Sequence, residues 1–102
     1  MNAGFLGVLS FELHFHEGGS LKEKRHHLRQ VKAQLERRLG ASVAEVEYHD
    51  LWQRAGLALT LVRRDAGDVQ RGLDEARRYL SAQQYELVRA ESRLLSIEEV
   101  VE

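Results

Sequence analysis

Residues 3–16, "AGFLGVLSFELHFH", alternate with a period of two, and every second side chain from Phe5 to Phe15 is apolar or glycine. Successive side chains of a β-strand point to opposite faces, so this spacing predicts a strand with one wholly apolar face. Residues 42–48, 55–62 and 85–95 alternate in the same way. The chain is therefore expected to contain four strands.

The segments between these strands have helical spacing instead. Ser20 and Glu23 have the separation of a capping box, and Gly40 stands where a left-handed residue ends a helix. Asp65 and Asp68 can accept hydrogen bonds from the free amides of a second helix start. Apolar residues repeat at helical intervals in 20–40 and in 65–81: Leu28, Val31, Leu35 and Leu39, then Val69, Leu73, Ala76 and Leu80.

The resulting order is β-α-β-β-α-β, the split βαβ arrangement, whose right-handed crossovers lay both helices on one face of a sheet. We predict an α+β fold, a ferredoxin-like sandwich with a four-stranded antiparallel sheet. The 102 residues suffice for a single hydrophobic core, so we expect one domain over residues 1–102.

Composition limits the chemistry. The absence of cysteine excludes disulfides, thiolate metal sites and cysteine nucleophiles. No signal-peptide pattern is present, and no apolar run approaches the roughly 18 residues of a membrane span. We expect a cytoplasmic protein that does not bind membranes, is not an enzyme and needs no cofactor.

Positive charge is concentrated in the first helix, although the whole chain has a formal net charge of −1. Residues 20–40 hold seven lysines and arginines against two glutamates, a local balance of +5. Cations one turn apart over about 15 Å can follow successive phosphates, which predicts RNA binding. The alternative is a solvated helix face. Four cations fall within about 80° of one another beside the apolar stripe: Lys22, Arg25, Arg29 and Lys32.

Three other features leave alternatives open. Lys24 falls on the apolar side, where it is expected to snorkel or to pair with a carboxylate of a neighbouring strand. Trp52, the only tryptophan, lies in a polar connection beside Arg54. This pair is interpreted as an RNA-binding tip, and the alternative is that the tryptophan folds back as a core plug. Gly18 and Gly19 lack the spacing of a phosphate loop and are interpreted as a turn.

Two histidines share one face of the first strand. His14 and His16 follow Glu12 on that face, a row that suits a transition metal or acid–base chemistry. Two ligands do not make a site, and a third would have to come from Glu17, His49 or a second subunit. Solvent-facing histidines, or histidines at an interface, are the other interpretations, and we predict no metal site.

The sheet face away from the helices is expected to be too apolar to stay in water. Glu45 and Glu47 are predicted to flank it on one outer strand, with Arg89, Glu91 and Arg93 on the other. A two-fold partner would cover such a face, so we predict a homodimer. The predicted interface residues of the two central strands are Leu6, Val8, Ala58, Thr60 and Val62.

Three phrases, "GVLSFELH", "SLKEKR" and "VAEVEYHDLWQRAGLALTLV", resemble the YlxP-like family of small bacterial proteins of unknown function. The "HH" at 26 and 27 departs from the residues that members often carry there. The resemblance implies a ferredoxin-like fold, and genes of members often lie beside those of translation initiation and ribosome-maturation factors. It implies no reaction. We expect a non-enzymatic accessory protein of translation that binds ribosomal RNA or a ribosomal protein. The alternative is a homodimeric or small-ligand-binding module that acts through the sheet face.

Overall fold

A computed structural model describes residues 3–16 and 19–102, and the predictions made for Glu17 and Gly18 lie outside these ranges. The strands form one antiparallel sheet in the order β2-β3-β1-β4, which confirms the predicted α+β fold and its β-α-β-β-α-β order. The elements are β1 (Phe5–His14), α1 (Leu21–Leu39), β2 (Ser42–Glu47), β3 (Arg54–Arg63), α2 (Ala66–Ser81), β4 (Glu86–Ser96) and α3 (Ile97–Val101).

The apolar side chains at alternate positions of β1 face the helices and form the centre of the core. Leu9, Phe11 and Leu13 have no exposed surface, and β3 sets Leu59 opposite Leu9 and Leu57 opposite Phe11. Facing pairs on two central strands put their side chains on the same face, so the two apolar rows form a continuous layer. The stripes of α1 and α2 close that layer with residues predicted from helical spacing: Leu28, Val31, Leu35, Leu39, Val69, Leu73, Ala76 and Leu80.

Helix α1 begins and ends where the sequence predicts. The Ser20 hydroxyl oxygen accepts a hydrogen bond from the Glu23 amide at 3.1 Å, although the reciprocal half of the predicted capping box is absent between the described residues. Gly40 has φ 63°, and its amide donates to the Glu36 carbonyl. Glycine adopts this left-handed conformation without steric cost, so it ends the helix cleanly.

Helix α3 was not predicted. Ser96 and Glu99 form a complete capping box, in which each side chain accepts from the other's backbone amide at 3.2 and 2.7 Å. The Ile97 amide also donates to the Gly4 carbonyl, which ties the helix to the start of β1. The acidic end of the chain therefore turns into a short helix directly after β4. None of the helices in the described ranges combines the length and apolarity that a bilayer crossing requires.

Helix α2 packs closely against β1 at Gly7. A Cβ built there would lie 2.7 Å from Cγ1 of Val69 and 3.2 Å from Cδ2 of Leu73, both of which are fully buried. Neither side chain has free space into which it can move. The absence of a side chain at this position therefore sets the spacing between α2 and the sheet.

We expect Gly7→Ala to lower the free energy of unfolding by about 2 kcal/mol, because the added methyl group overpacks the core. Urea denaturation followed by circular dichroism measures this change. Gly67→Ala is the matched control, since the nearest atom to its new Cβ is the Arg71 guanidinium at 3.5 Å, and alanine favours helix there. Equal stability of the two variants would contradict the close approach.

Candidate functional site

The four predicted cations of α1 have no partners among the described residues. Lys22, Arg25 and Arg29 are exposed and Lys32 is half-buried, and none forms a hydrogen bond or ion pair within 3–16 and 19–102. Some other basic side chains have partners, as Arg54 has in Glu12 and Arg89 in Glu91, whereas Arg64, Arg78 and Arg93 are isolated exposed arginines without a partner in the described ranges. We call the row formed by Lys22, Arg25, Arg29 and Lys32 the basic row.

The basic row lies on the flank of α1 that faces away from α2. On the opposite flank the Arg38 guanidinium stacks 4.8 Å above the Tyr79 ring, and His27 contacts Tyr85. At 100° per residue the basic row is on the other side of the buried stripe from these contacts. It therefore points toward β2, whose outward edge has no strand partner in the described part of the chain and whose Ser42, Ala44 and Val46 are exposed.

Lys24 connects the first turn of α1 to the β2–β3 connection. Lys24 is only 3% exposed, and its ammonium group donates to the carbonyls of Tyr48 and Leu51, each at 2.6 Å. The Glu45 carboxylate lies 2.9 Å away. This ion pair confirms the predicted pairing with a carboxylate of a neighbouring strand. Tyr48 itself has φ 64°, a left-handed conformation unusual for a tyrosine, and its carbonyl is held by the lysine.

Trp52 lies beneath the start of α1 and is half-buried. A Cβ at Gly19 would meet the benzene ring of the indole at 2.3 Å, so the ring packs directly on the glycine backbone. The indole also lines an open concavity of about 500 Å³ together with Phe15, His14 and His16. Both interpretations of the tryptophan therefore describe part of its surface: one side packs inward and another remains accessible.

The Arg54 side chain is bound by neighbouring groups on the open face of the sheet. Its Nε and Nη2 atoms donate to the Glu12 carboxylate at 3.0 and 2.8 Å, and its guanidinium lies 3.8 Å above the Tyr48 ring. Burial raises the pKa of Glu12, but hydrogen bonds from His14 and Arg54 outweigh it and hold the pKa below its ordinary value of 4.5. The Glu12 carboxylate is thus ionised near neutral pH and orients the Arg54 side chain.

This Glu12–Arg54 contact was not anticipated, although its signal is present in the strand register. Glu12 and His14 are two residues apart, so their side chains lie on the same face of β1. The pairing of β1 with β3 sets His14 opposite Arg54. Once that register is known, the three side chains must lie on one face within reach of each other. Alternation alone supplies the face but not the register between two strands.

The histidines are engaged with carboxylates. His14 Nε2 lies 2.7 Å from Glu12 Oε2, and His16 Nε2 lies 2.8 Å from Glu86 Oε1. His49, a predicted source of a third metal ligand, instead places Nε2 3.2 Å from the Glu45 carbonyl oxygen. Within the described ranges no three His, Cys, Asp or Glu side chains are grouped so that they could hold a metal ion.

The open face of the sheet has an apolar half and a polar half. The predicted interface residues share this face and form the apolar half together with Leu95, and Val62 is 60% exposed. The polar half contains Glu12, Arg54 and Arg89, and Arg89 donates to Ser10 Oγ at 2.9 Å. The predicted interface residues are Leu6, Val8, Ala58, Thr60 and Val62.

The placement of Glu45 on this open face was wrong. The pairing of β2 with β3 shifts between Glu45 and Glu47, so a bulge separates two residues that simple alternation puts on one side. Glu47 lies opposite Gly56 on the open face, while Glu45 faces the helices and meets Lys24. The shift moves Glu47 to the open face, while Glu45 keeps the side of the buried Val43 and so reaches the buried lysine.

These features define a class: an α+β domain with split βαβ topology, a free basic row on one helix and a half-apolar open sheet. A family model described as "Protein of unknown function (DUF503)" matches residues 6–93, and the chain belongs to this family. The chain is also 32% identical over 57 residues to "Uncharacterized protein YlxP" of Bacillus subtilis (strain 168). That match covers 56% of this chain and 62% of the relative's length.

We expect Lys24→Met to lower the free energy of unfolding by about 3 kcal/mol, because it leaves the Glu45 carboxylate and two carbonyls without their cation. Lys22→Met, two residues earlier on the exposed flank, is the matched control and should change the stability by less than about 0.5 kcal/mol. Urea denaturation of both variants checks this difference. Similar stabilities would show that the buried ammonium does not hold the connection.

Proposed function

We propose that this protein binds RNA through the basic row and acts as an accessory protein rather than an enzyme. The observation that carries the proposal is the freedom of the four cations of this row. A solvated helix face commonly pairs its lysines and arginines with carboxylates one turn away. Here the positive charge is left available to an external polyanion.

The length of the basic row suits a nucleic-acid backbone. Lys22 and Lys32 are ten residues apart on α1, which corresponds to about 15 Å along the helix axis. Arginine, which supplies two of the four cations, matches phosphate oxygens with its planar fork of donors. A row of this kind binds the backbone without reading sequence, so RNA structure or neighbouring contacts must supply selectivity.

Charge along the molecule favours one orientation of the bound RNA. The acidic helix α3 is tied to Gly4 at the start of β1, whereas the connection that carries Trp52 bonds to Phe15 after the end of β1. The carboxylates of Glu98, Glu99 and Glu102 therefore lie at one end of the sheet and the tryptophan lies at the other. Phosphates are repelled from the α3 end, which directs a polyanion toward the N-terminal half of α1.

Ribosomal RNA or a ribosomal protein is the partner that we propose. Support comes from the translation-related gene neighbourhoods that the family resemblance implies. A ribosomal partner predicts that the protein sediments with ribosomal subunits at low salt and dissociates as the salt concentration rises.

The combined variant Arg25→Gln, Arg29→Gln and Lys32→Gln tests the basic row. We expect at least about a tenfold loss of RNA affinity at low salt, and the slope of log affinity against log salt should fall by about 2. Fluorescence anisotropy with labelled ribosomal RNA fragments measures both quantities. The control variant Arg64→Gln, Arg71→Gln and Arg78→Gln removes the same charge from exposed positions at α2. Equal losses in both variants would show that net charge alone explains the effect. No loss in the basic-row variant would contradict the proposal.

A homodimer formed through the apolar half of the open face is the second candidate, and the exposure of Val62 favours it. Five neighbouring side chains on β1 and β3 share this half, and Leu95 of β4 extends it. Doubled by a two-fold axis, such a patch can contribute most of the roughly 1,200 Å² that a stable interface requires. A small ligand on the same face would be the competing occupant.

Light scattering at micromolar concentration is expected to give a dimeric mass for the parent protein and a monomeric mass for Val62→Asp. The substitution would bury an unpaired carboxylate at the interface, which costs several kcal/mol. Val101→Asp is the control, because this valine is 74% exposed on α3, away from the sheet face. A monomeric parent protein would contradict the dimer and leave the open face free for another ligand.

A further inference from the structure

We infer that the end of the molecule opposite α3 binds an unpaired nucleobase, so that the RNA recognised by this protein is single-stranded where it meets Trp52. This tryptophan end consists of residues 14–16, Gly19 with the first turns of α1, the 48–53 connection, and the start of β3 and Tyr85 beside them. The inference rests on the proposed function, because the basic row is taken to hold the backbone of the same RNA. It adds the class of RNA and the side chain that recognises it.

Rings converge at the tryptophan end from four separate segments. The rings of Phe15 and His27 are stacked, with centroids 5.7 Å apart and an interplanar angle of 23°. Tyr85 meets Phe15 edge-on at 5.5 Å. Trp52 shares the open concavity with Phe15. Every nucleobase has a flat face that stacks on such rings regardless of its identity, so this surface suits bases in general.

Trp52 is held in position before any ligand arrives. Its ring rests on the backbone of Gly19, and the carbonyl of the preceding Leu51 is bound by the buried ammonium of Lys24. The Phe15 amide donates to the Gln53 carbonyl at 2.8 Å, which fixes the connection on its other side. A platform that is already ordered loses little conformational entropy on binding, so stacking on it contributes more to affinity.

The concavity also presents polar groups beside the indole. Gln53 is exposed, and its side-chain amide has both donors and an acceptor for a base edge. His14, His16 and Arg54 line the same space. Its volume of about 500 Å³ lies within the range of small-molecule pockets and can accept a single base. A base inside a duplex cannot reach it, because its faces are covered by neighbouring pairs.

The basic row begins beside this concavity. Lys24 anchors the tryptophan connection from the first turn of α1, and Lys22 and Arg25 leave the same turn on its exposed flank. The backbone of a strand whose base stacks on Trp52 can therefore continue along α1 toward Lys32. The two surfaces form one path that accepts a single strand from its unpaired base onward.

Trp52 is the only tryptophan, so its intrinsic fluorescence reports stacking directly. The probes are RNA single strands of about eight nucleotides, abasic strands of equal length and charge, and the matching RNA duplex. Quenching is expected with the base-containing single strand alone, and its affinity should exceed those of the other two by about tenfold. Equal affinity for the abasic strand without quenching, or tighter binding of the duplex, would overturn the inference and leave the proposed function standing. Failure of all three RNAs to bind would overturn both.

Two variants separate the platform from the basic row. Trp52→Leu should lose about tenfold in affinity for the base-containing strand and nothing for the abasic strand, while Trp52→Phe should retain part of the preference. Arg25→Gln should weaken both strands by the same factor, because it removes a phosphate contact. Circular dichroism confirms that each variant is folded, and the quenching experiment on the parent protein does not depend on any variant. Equal losses on both strands for Trp52→Leu would overturn the inference.

Discussion

The buried ammonium of Lys24 is the contact on which the arrangement of the surrounding surfaces depends. An ammonium group leaves water at a large cost in free energy, and it stays charged inside a protein only with close partners. Glu45 and two backbone carbonyls provide them, so the first turn of α1 and the β2–β3 connection are positioned together. Trp52 lies on that connection and Arg54 begins β3 directly after it, while Lys22 and Arg25 lie on the same helical turn as Lys24. One buried charge thereby fixes the distance between the proposed base platform and the proposed backbone contacts.

Much of the fold could be predicted because its elements have clear periods. The strands and the two long helices follow from residues such as Leu9, Leu28 and Leu73, whose spacing alone identifies the buried faces. A one-residue insertion defeats the same reasoning, which is why the bulge beside Glu45 escaped prediction. Helix α3 was missed for another reason: five residues are too few to show a helical period, although Ser96 and Glu99 have the spacing of a capping box.

Most residues of the candidate site could be predicted from the sequence, whereas most of the contacts between them could not. Helical spacing identified the basic row, whereas its lack of carboxylate partners among residues 3–16 and 19–102 could be seen only once those side chains were placed. The pairing of Arg54 with Glu12 depends on the register of two strands that are 42 residues apart at these positions. Packing of Trp52 on Gly19 depends on how a loop folds back, and no local pattern encodes that. Contacts between distant segments are thus the part of the site that only the structure supplies.

The outer edge of β2, which pairs with no other strand of the described residues, has a consequence for how copies of this protein behave toward one another. An exposed strand edge invites the same edge of another molecule to extend the sheet, and Ser42, Ala44 and Val46 offer no charge to prevent it. The basic row points toward this edge, so two copies that approached edge to edge would bring their cations together. Electrostatic repulsion between these cations is then expected to keep the molecules apart at low ionic strength. A bound polyanion or concentrated salt would remove that repulsion, and the cations that we propose to bind RNA would also keep copies of the protein apart.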